Sequence, residues 1–160
     1  MGRPIKIISG GQTGADMAGL VAGQKLGVPT GGYAPKDWNT EIGPAPWLAQ
    51  YGLVEHPHRG YQARTIKNAA ISDLTFWFGY IGSPGGKLTK MCCNGLIKPI
   101  HQVDAPFEDM DDAIAYLYRE LMLDKGARVL NIAGNRESSR PGMQDYVVEL
   151  LVKLWEKFDE

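Results

Sequence analysis

Short apolar runs of strand length alternate along this chain with segments of helical spacing, and that alternation limits the fold more than any other feature. Strands joined through helices run parallel, and a parallel sheet needs helices over both faces. Ile5–Ser9 reads as the first strand. From Gly14 the apolar positions Met17, Leu20, Val21 and Leu26 keep a helical period, and Gly27 with Pro29 supplies a stop. Further strands are expected at Val28–Tyr33, at "LTFWF" (Leu74–Phe78), at Pro99–Val103 and at Arg128–Ala133. Helices are expected over Tyr61–Ile71, Leu88–Leu96, Glu108–Leu123 and Gly142–Phe158. The expected architecture is α/β: a Rossmann-like, doubly wound, mainly parallel sheet of about five strands with helices on both faces.

At 160 residues the chain suits one domain over 1–160. Residues 34–60 break the alternation. Pro35, Pro44, Pro46 and Pro57 lie there among glycines with no sustained period, which reads as a long irregular insertion with one helical turn around Trp47–Gln50. Its Trp38, Trp47 and Tyr51 argue against disorder. Trp38 and Trp47 have two readings, stacking on a ligand ring or packing the insertion onto the domain.

The net charge of −1 carries no basic excess, so nucleic acid is not expected and any anion must be held by a local site. No run of about 18 apolar residues occurs. The start "MGRPIKIIS" has neither an apolar signal core nor a myristoylation pattern, so a cytoplasmic protein without membrane contact is expected. Cys92 and Cys93 match no zinc or disulfide spacing and read as reduced thiols. His56 and His58 read as surface histidines, so neither a metal site nor a catalytic residue is assigned.

In an open parallel sheet, ligands bind outside the carboxyl ends of the strands. Three unusual loops fall on that edge. In "SGGQTGAD" (Ser9–Asp16), Gly10 and Gly11 bare the backbone and Gly14 precedes a helix N-terminus, which suits an anion. Thr13 and Asp16 have capping-box spacing, and Asp16 reads equally as a ligand contact. Gln12, a poor turn former, reads as a functional amide. The second loop, Gly79–Lys87, sets Gly85, Gly86, Lys87 and Thr89 at a helix start, either as an anion seat or as a tight turn. The third, Gly134–Pro141, holds Asn135, Arg136, Glu137 and Arg140, with Arg136 or Arg140 as its phosphate-binding cation. Arg64 sits in the first turn of its helix, where its charge opposes the dipole; it reads as an anion contact or a surface pair, with Asn68 on the same face.

The segments "ISGGQTGAD", "PTGGYAPK", "ARTIKNAAISD", "GGKLT" and "LNIAGNRESSRPG", in that order over nearly the whole chain, resemble the molybdenum carrier family. That family is a circularly permuted branch of the Rossmann-like superfamily that includes YpsA, DprA and lysine-decarboxylase-like proteins. The resemblance implies a cytoplasmic, often oligomeric protein. Its cargo would be the molybdenum cofactor (molybdopterin) or another phosphorylated, nucleotide-like ligand, and a molybdoenzyme would be the acceptor. It points to Gly10, Gly11, Gln12, Thr13, Gly14, Asp16, Lys36, Arg64, Asn68, Gly86, Thr89, Arg136 and Glu137. Asn135 departs from an expected proline.

Two other functions compete with the carrier. The related phosphoribohydrolases resemble P-G-G-x-G-T-x-x-E, but "PGGKLTKMC" places Leu88 at a glycine position and Cys92 where the acid/base glutamate belongs. A nucleotide-sensing module is the third.

Overall fold

The computed structural model describes residues 3–160, so Met1 and Gly2, part of the stretch read for a myristoylation pattern, lie outside the described residues. The elements run β1 (Lys6–Ile8), α1 (Ala15–Leu26), β2 (Thr30–Ala34), β3 (Asn39–Thr40), β4 (Gly43–Pro44), β5 (Leu53–Glu55), α2 (Tyr61–Ile71) and β6 (Leu74–Phe78). They continue with α3 (Pro84–Gly95), β7 (Ile100–Val103), α4 (Met110–Leu123), β8 (Val129–Gly134) and α5 (Met143–Lys157). Six parallel strands form the main sheet in the order β5-β2-β1-β8-β6-β7. The chain winds outward from β1 through β2 to β5, crosses to β6 and β7, and returns with β8 between β1 and β6. Winding therefore changes direction around β8, and the carboxyl ends of β1, β8 and β6 open a crevice there.

The two faces of the sheet differ. Along β6, Leu74, Phe76 and Phe78 enter an apolar core with Ile7, Leu130 and Ile132 that α1, α4 and α5 cover. Each large side chain buried in this way is worth about 1.5–3 kcal/mol. Thr75 and Trp77, of opposite pleat, face α2 and α3. That side is polar: Asn131 Nδ2 donates to Thr75 Oγ1 at 3.3 Å, the Cys93 thiol lies 3.5 Å from the same hydroxyl, and Asn68 and Thr89 are also buried. Polar groups that satisfy one another leave no dry core between α2 and α3, and a cavity opens there instead.

The structure corrects three expectations. The insertion has the expected helical turn, at Pro46–Tyr51, but is not otherwise irregular: it adds a 3-10 turn at Lys36–Trp38, a β3–β4 hairpin, and β5 as a sixth strand on the sheet edge. A three-residue edge strand is too short to leave an apolar run in the sequence. Leu48 and Leu53 join Leu20, Ala34 and Ala45 in a second core, against which Trp38 packs. Secondly, α3 starts at Pro84 rather than Leu88. Ser83 caps it, its Oγ accepting from the Gly86 N–H at 3.2 Å, so the weak helix formers Gly85 and Gly86 lie in the first turn. Thirdly, the capping box is absent: Gly14 is the N-cap residue of α1 and no side chain caps it. Among the described residues no helix is long and apolar enough to cross a membrane.

Candidate functional site

The loops after β1, β6 and β8 meet at one rim. Two cavities, of about 250 and about 210 Å³, open there and share Arg64, Trp77, Pro84, Gly85 and Gly134. The larger lies between α2 and α3, lined also by Tyr61, Leu88, Thr89 and Asn131. The smaller reaches Gln12, Ser83, Asn135, Arg136 and Ser139. Joined, they fall within the lower part of the roughly 300–1,000 Å³ range of small-molecule sites. Arg64 and Arg136 are their charged lining residues, and the positive end of α3 abuts both.

Arg64 is positioned by what Gly10 lacks. A Cβ on Gly10 would lie 2.4 Å from Nη1, so only a bare α-carbon admits the guanidinium over the β1–α1 loop. Behind it, Asp16 Oδ2 stands 3.6 Å from Nη1, with side-chain exposures of 4% for Asp16 and 12% for Arg64. Burial pushes the Asp16 carboxyl up to about 6, against the lowering pull of the Arg64 charge and of the Gln12 and Gly10 backbone N–H groups. Asp16 therefore backs the arginine: its carboxylate accepts the Gln12 N–H at 3.2 Å and lines neither cavity. Among the described residues, buried Arg64 Nε and Trp77 Nε1 find no hydrogen-bond partner.

Gln12 is oriented by its neighbours. Its Oε1 accepts the backbone N–H groups of Thr13 at 3.0 Å and Glu41 at 2.9 Å, which leaves the amide NH₂ as the group it can offer to the smaller cavity. Thr13 accepts the Glu137 N–H at 3.1 Å and donates to Glu41. Gly14 joins two loops: its φ is +79°, and a Cβ there would meet the Asn135 carbonyl at 2.5 Å. Asn135 ties the second loop to the third, accepting the Tyr80 N–H at 2.7 Å and donating to Ser83 Oγ at 3.2 Å.

Several candidates serve the scaffold instead. Asn68 pairs both amide atoms with the Tyr33 backbone, at 2.9 and 3.1 Å, extending the ladder past the end of β1 while lining the larger cavity. Glu137 accepts the N–H groups of Gly142 and Gln144 and so caps α5. Arg140 turns away, pairing with Asp104 and with the Ala105 carbonyl at 2.9 Å. Gly11 faces Leu48 and Leu53 of the insertion, and Gly86 packs against Ile81. Thr89 Oγ1 donates to the Gly85 carbonyl at 2.8 Å while lining the larger cavity. Lys36 and Lys87 are exposed and line neither cavity, and no residue of 34–60 does. The insertion thus does not roof the cleft, and Trp47, 44% exposed, lies elsewhere.

Sequence reading missed Tyr61, Trp77, Ser139 and Glu41. An unbroken apolar run hid the fact that Trp77 points opposite to Phe76 and Phe78, although Thr75 marked the polar face. Glu41 acts across 97 residues of sequence, on Ser138, and has no local signal. Among the described residues no group of three or more His, Cys, Asp or Glu side chains could hold a metal, and both cysteines are free.

The model of the circularly permutated YpsA SLOG family matches residues 7–155. A crystal structure at 1.45 Å, described as "Putative molybdenum carrier protein" from Syntrophus aciditrophicus SB, is 35% identical, with a TM-score of 0.83 and 92% of each chain covered. No curated protein matches the chain. The order of the motifs, the six-stranded parallel sheet and the family match agree: the chain belongs to the circularly permutated YpsA SLOG family.

Proposed function

We propose that this protein is a carrier that binds the molybdenum cofactor, or a related phosphorylated nucleotide-like ligand, in the cleft between α2 and α3. One observation carries the reading: Arg136 and the Gln12 amide line the smaller cavity, Tyr61 lines the larger, and Arg64, Trp77 and the α3 N-terminus are shared by both. The donor set suits a phosphorylated pterin. Arg64, Arg136, Gln12 and Ser139 would hold its phosphate, and Tyr61, Trp77 and Leu88 would flank its ring. The cofactor's redox chemistry would be exercised in a molybdoenzyme acceptor. The solved relative, named for molybdenum carriage, supports the same reading.

Holding is favoured over hydrolysis because the cleft lining contains no carboxylate and Cys92 occupies the position expected of an acid/base glutamate. Calorimetric titration with the phosphorylated pterin part of the cofactor tests the reading. Saturable binding that Arg64→Ala abolishes is the expected result. No heat at about millimolar ligand, or release of ribose phosphate from a nucleoside monophosphate, would overturn it.

A further inference from the structure

Glu41 lies in the turn of the β3–β4 hairpin, but its carboxylate is held by the ligand edge. The Thr13 and Ser138 hydroxyls both donate to it, and the Ser138 N–H donates at 3.2 Å. Burial works to raise the Glu41 carboxyl, yet the Ser138 and Thr13 hydrogen bonds and the Arg136 charge hold it below the usual carboxylate range. Three donors from two loops, with a guanidinium near, form the kind of seat that receives a phosphate. Here the anion is internal. The seat adjoins the cleft through Gln12 and Arg136, which line the smaller cavity while Gln12 Oε1 accepts the Glu41 N–H. The hairpin's own bonds, including Thr40 Oγ1 to the Gly43 carbonyl at 2.7 Å, are internal to it, so releasing Glu41 leaves them intact.

We propose that Thr13, Ser138 and Arg136 form a second anion site, filled in this structure by Glu41, and that a ligand with two linked phosphates displaces the carboxylate while a monophosphate leaves it seated. This rests on the reading of the cleft as an anion site. The ligand class it adds is the diphosphate ester, as in a nucleoside diphosphate or a dinucleotide.

Titration of inorganic phosphate and pyrophosphate into the wild-type chain and Glu41→Ala separates the outcomes. Removing the internal carboxylate should tighten pyrophosphate binding by about tenfold or more and phosphate by less than about twofold. Equal changes for both, or weaker pyrophosphate binding, would overturn the second site and leave the cleft reading intact. No phosphate binding to either protein would overturn both. Should Glu41→Ala not fold, hydrogen exchange in the wild-type chain decides: pyrophosphate, and not phosphate, should speed exchange of the 39–43 amides, and unchanged exchange would overturn the proposal.

Discussion

The Arg64 guanidinium lies across the bare α-carbon of Gly10, so close that a methyl group there would stand 2.4 Å from Nη1. Gly10 has no left-handed φ, so Gly10→Ala strains no backbone and needs only the arginine to move. It should weaken phosphate binding by about tenfold while costing under about 1 kcal/mol of stability. Gly14→Ala, with φ +79° and a backbone carbonyl 2.5 Å away, should cost about 1–3 kcal/mol or more. Urea unfolding and calorimetry on both variants measure the contrast; equal stability losses would refute it.

Removing Arg64 strands a buried carboxylate. Arg64→Ala should cost about 3 kcal/mol at pH 8 and clearly less at pH 5, where the Asp16 carboxyl, already up at about 6 with its partner present, is protonated. A pH-independent loss in denaturant titrations would show that the pair contributes nothing electrostatic.

The pair also makes anion binding depend on pH. Protonating Asp16 removes the negative charge that shares Arg64, so sulfate, whose charge is constant over this range, should bind more tightly as pH falls through about 6. Binding near that pH should take up a proton, measurable as buffer-dependent heat. The same shift acts on stability. Between the ordinary 3.8 and about 6 the folded chain binds more protons than the unfolded one, so this group's contribution falls as pH rises through that window. Asp16→Asn should flatten both profiles.

Asn68 belongs to the scaffold. Asn68→Leu leaves the Tyr33 N–H and C=O without partners and should cost about 2 kcal/mol or more by thermal or urea unfolding. Phosphate affinity of the folded fraction should change by less than about twofold.

The cations sort by direction. Arg136→Ala should weaken phosphate binding by about tenfold, whereas Lys87→Ala and Arg140→Ala should leave it within about twofold. Arg140→Ala should instead lower stability, because it frees the Asp104–Ala105 segment. Comparable affinity losses across the three variants would mean that the site is misplaced.

Much of this was legible in the sequence because it is local. Apolar period and glycine punctuation placed α1, α2, β6 and β8 within a few residues, and strand-to-helix order alone sent the Gly10, Gly85 and Arg136 loops to one edge. The family was legible in its ordered motifs. Tertiary structure alone decided which candidates face the cleft. Glu137 and Arg140 look as much like ligand residues in sequence as Arg64 does, but line neither cavity; Asn68 lines the larger one, yet the Tyr33 backbone claims both its amide atoms. Gln12 and Glu41 show the same limit from the other side: Glu41 is held by Thr13 and Ser138, and Gln12, besides its neighbour Thr13, by the distant Glu41 N–H. A side chain's direction depends on which unsatisfied groups the fold brings within about 3 Å of it, and spacing along the chain does not encode that.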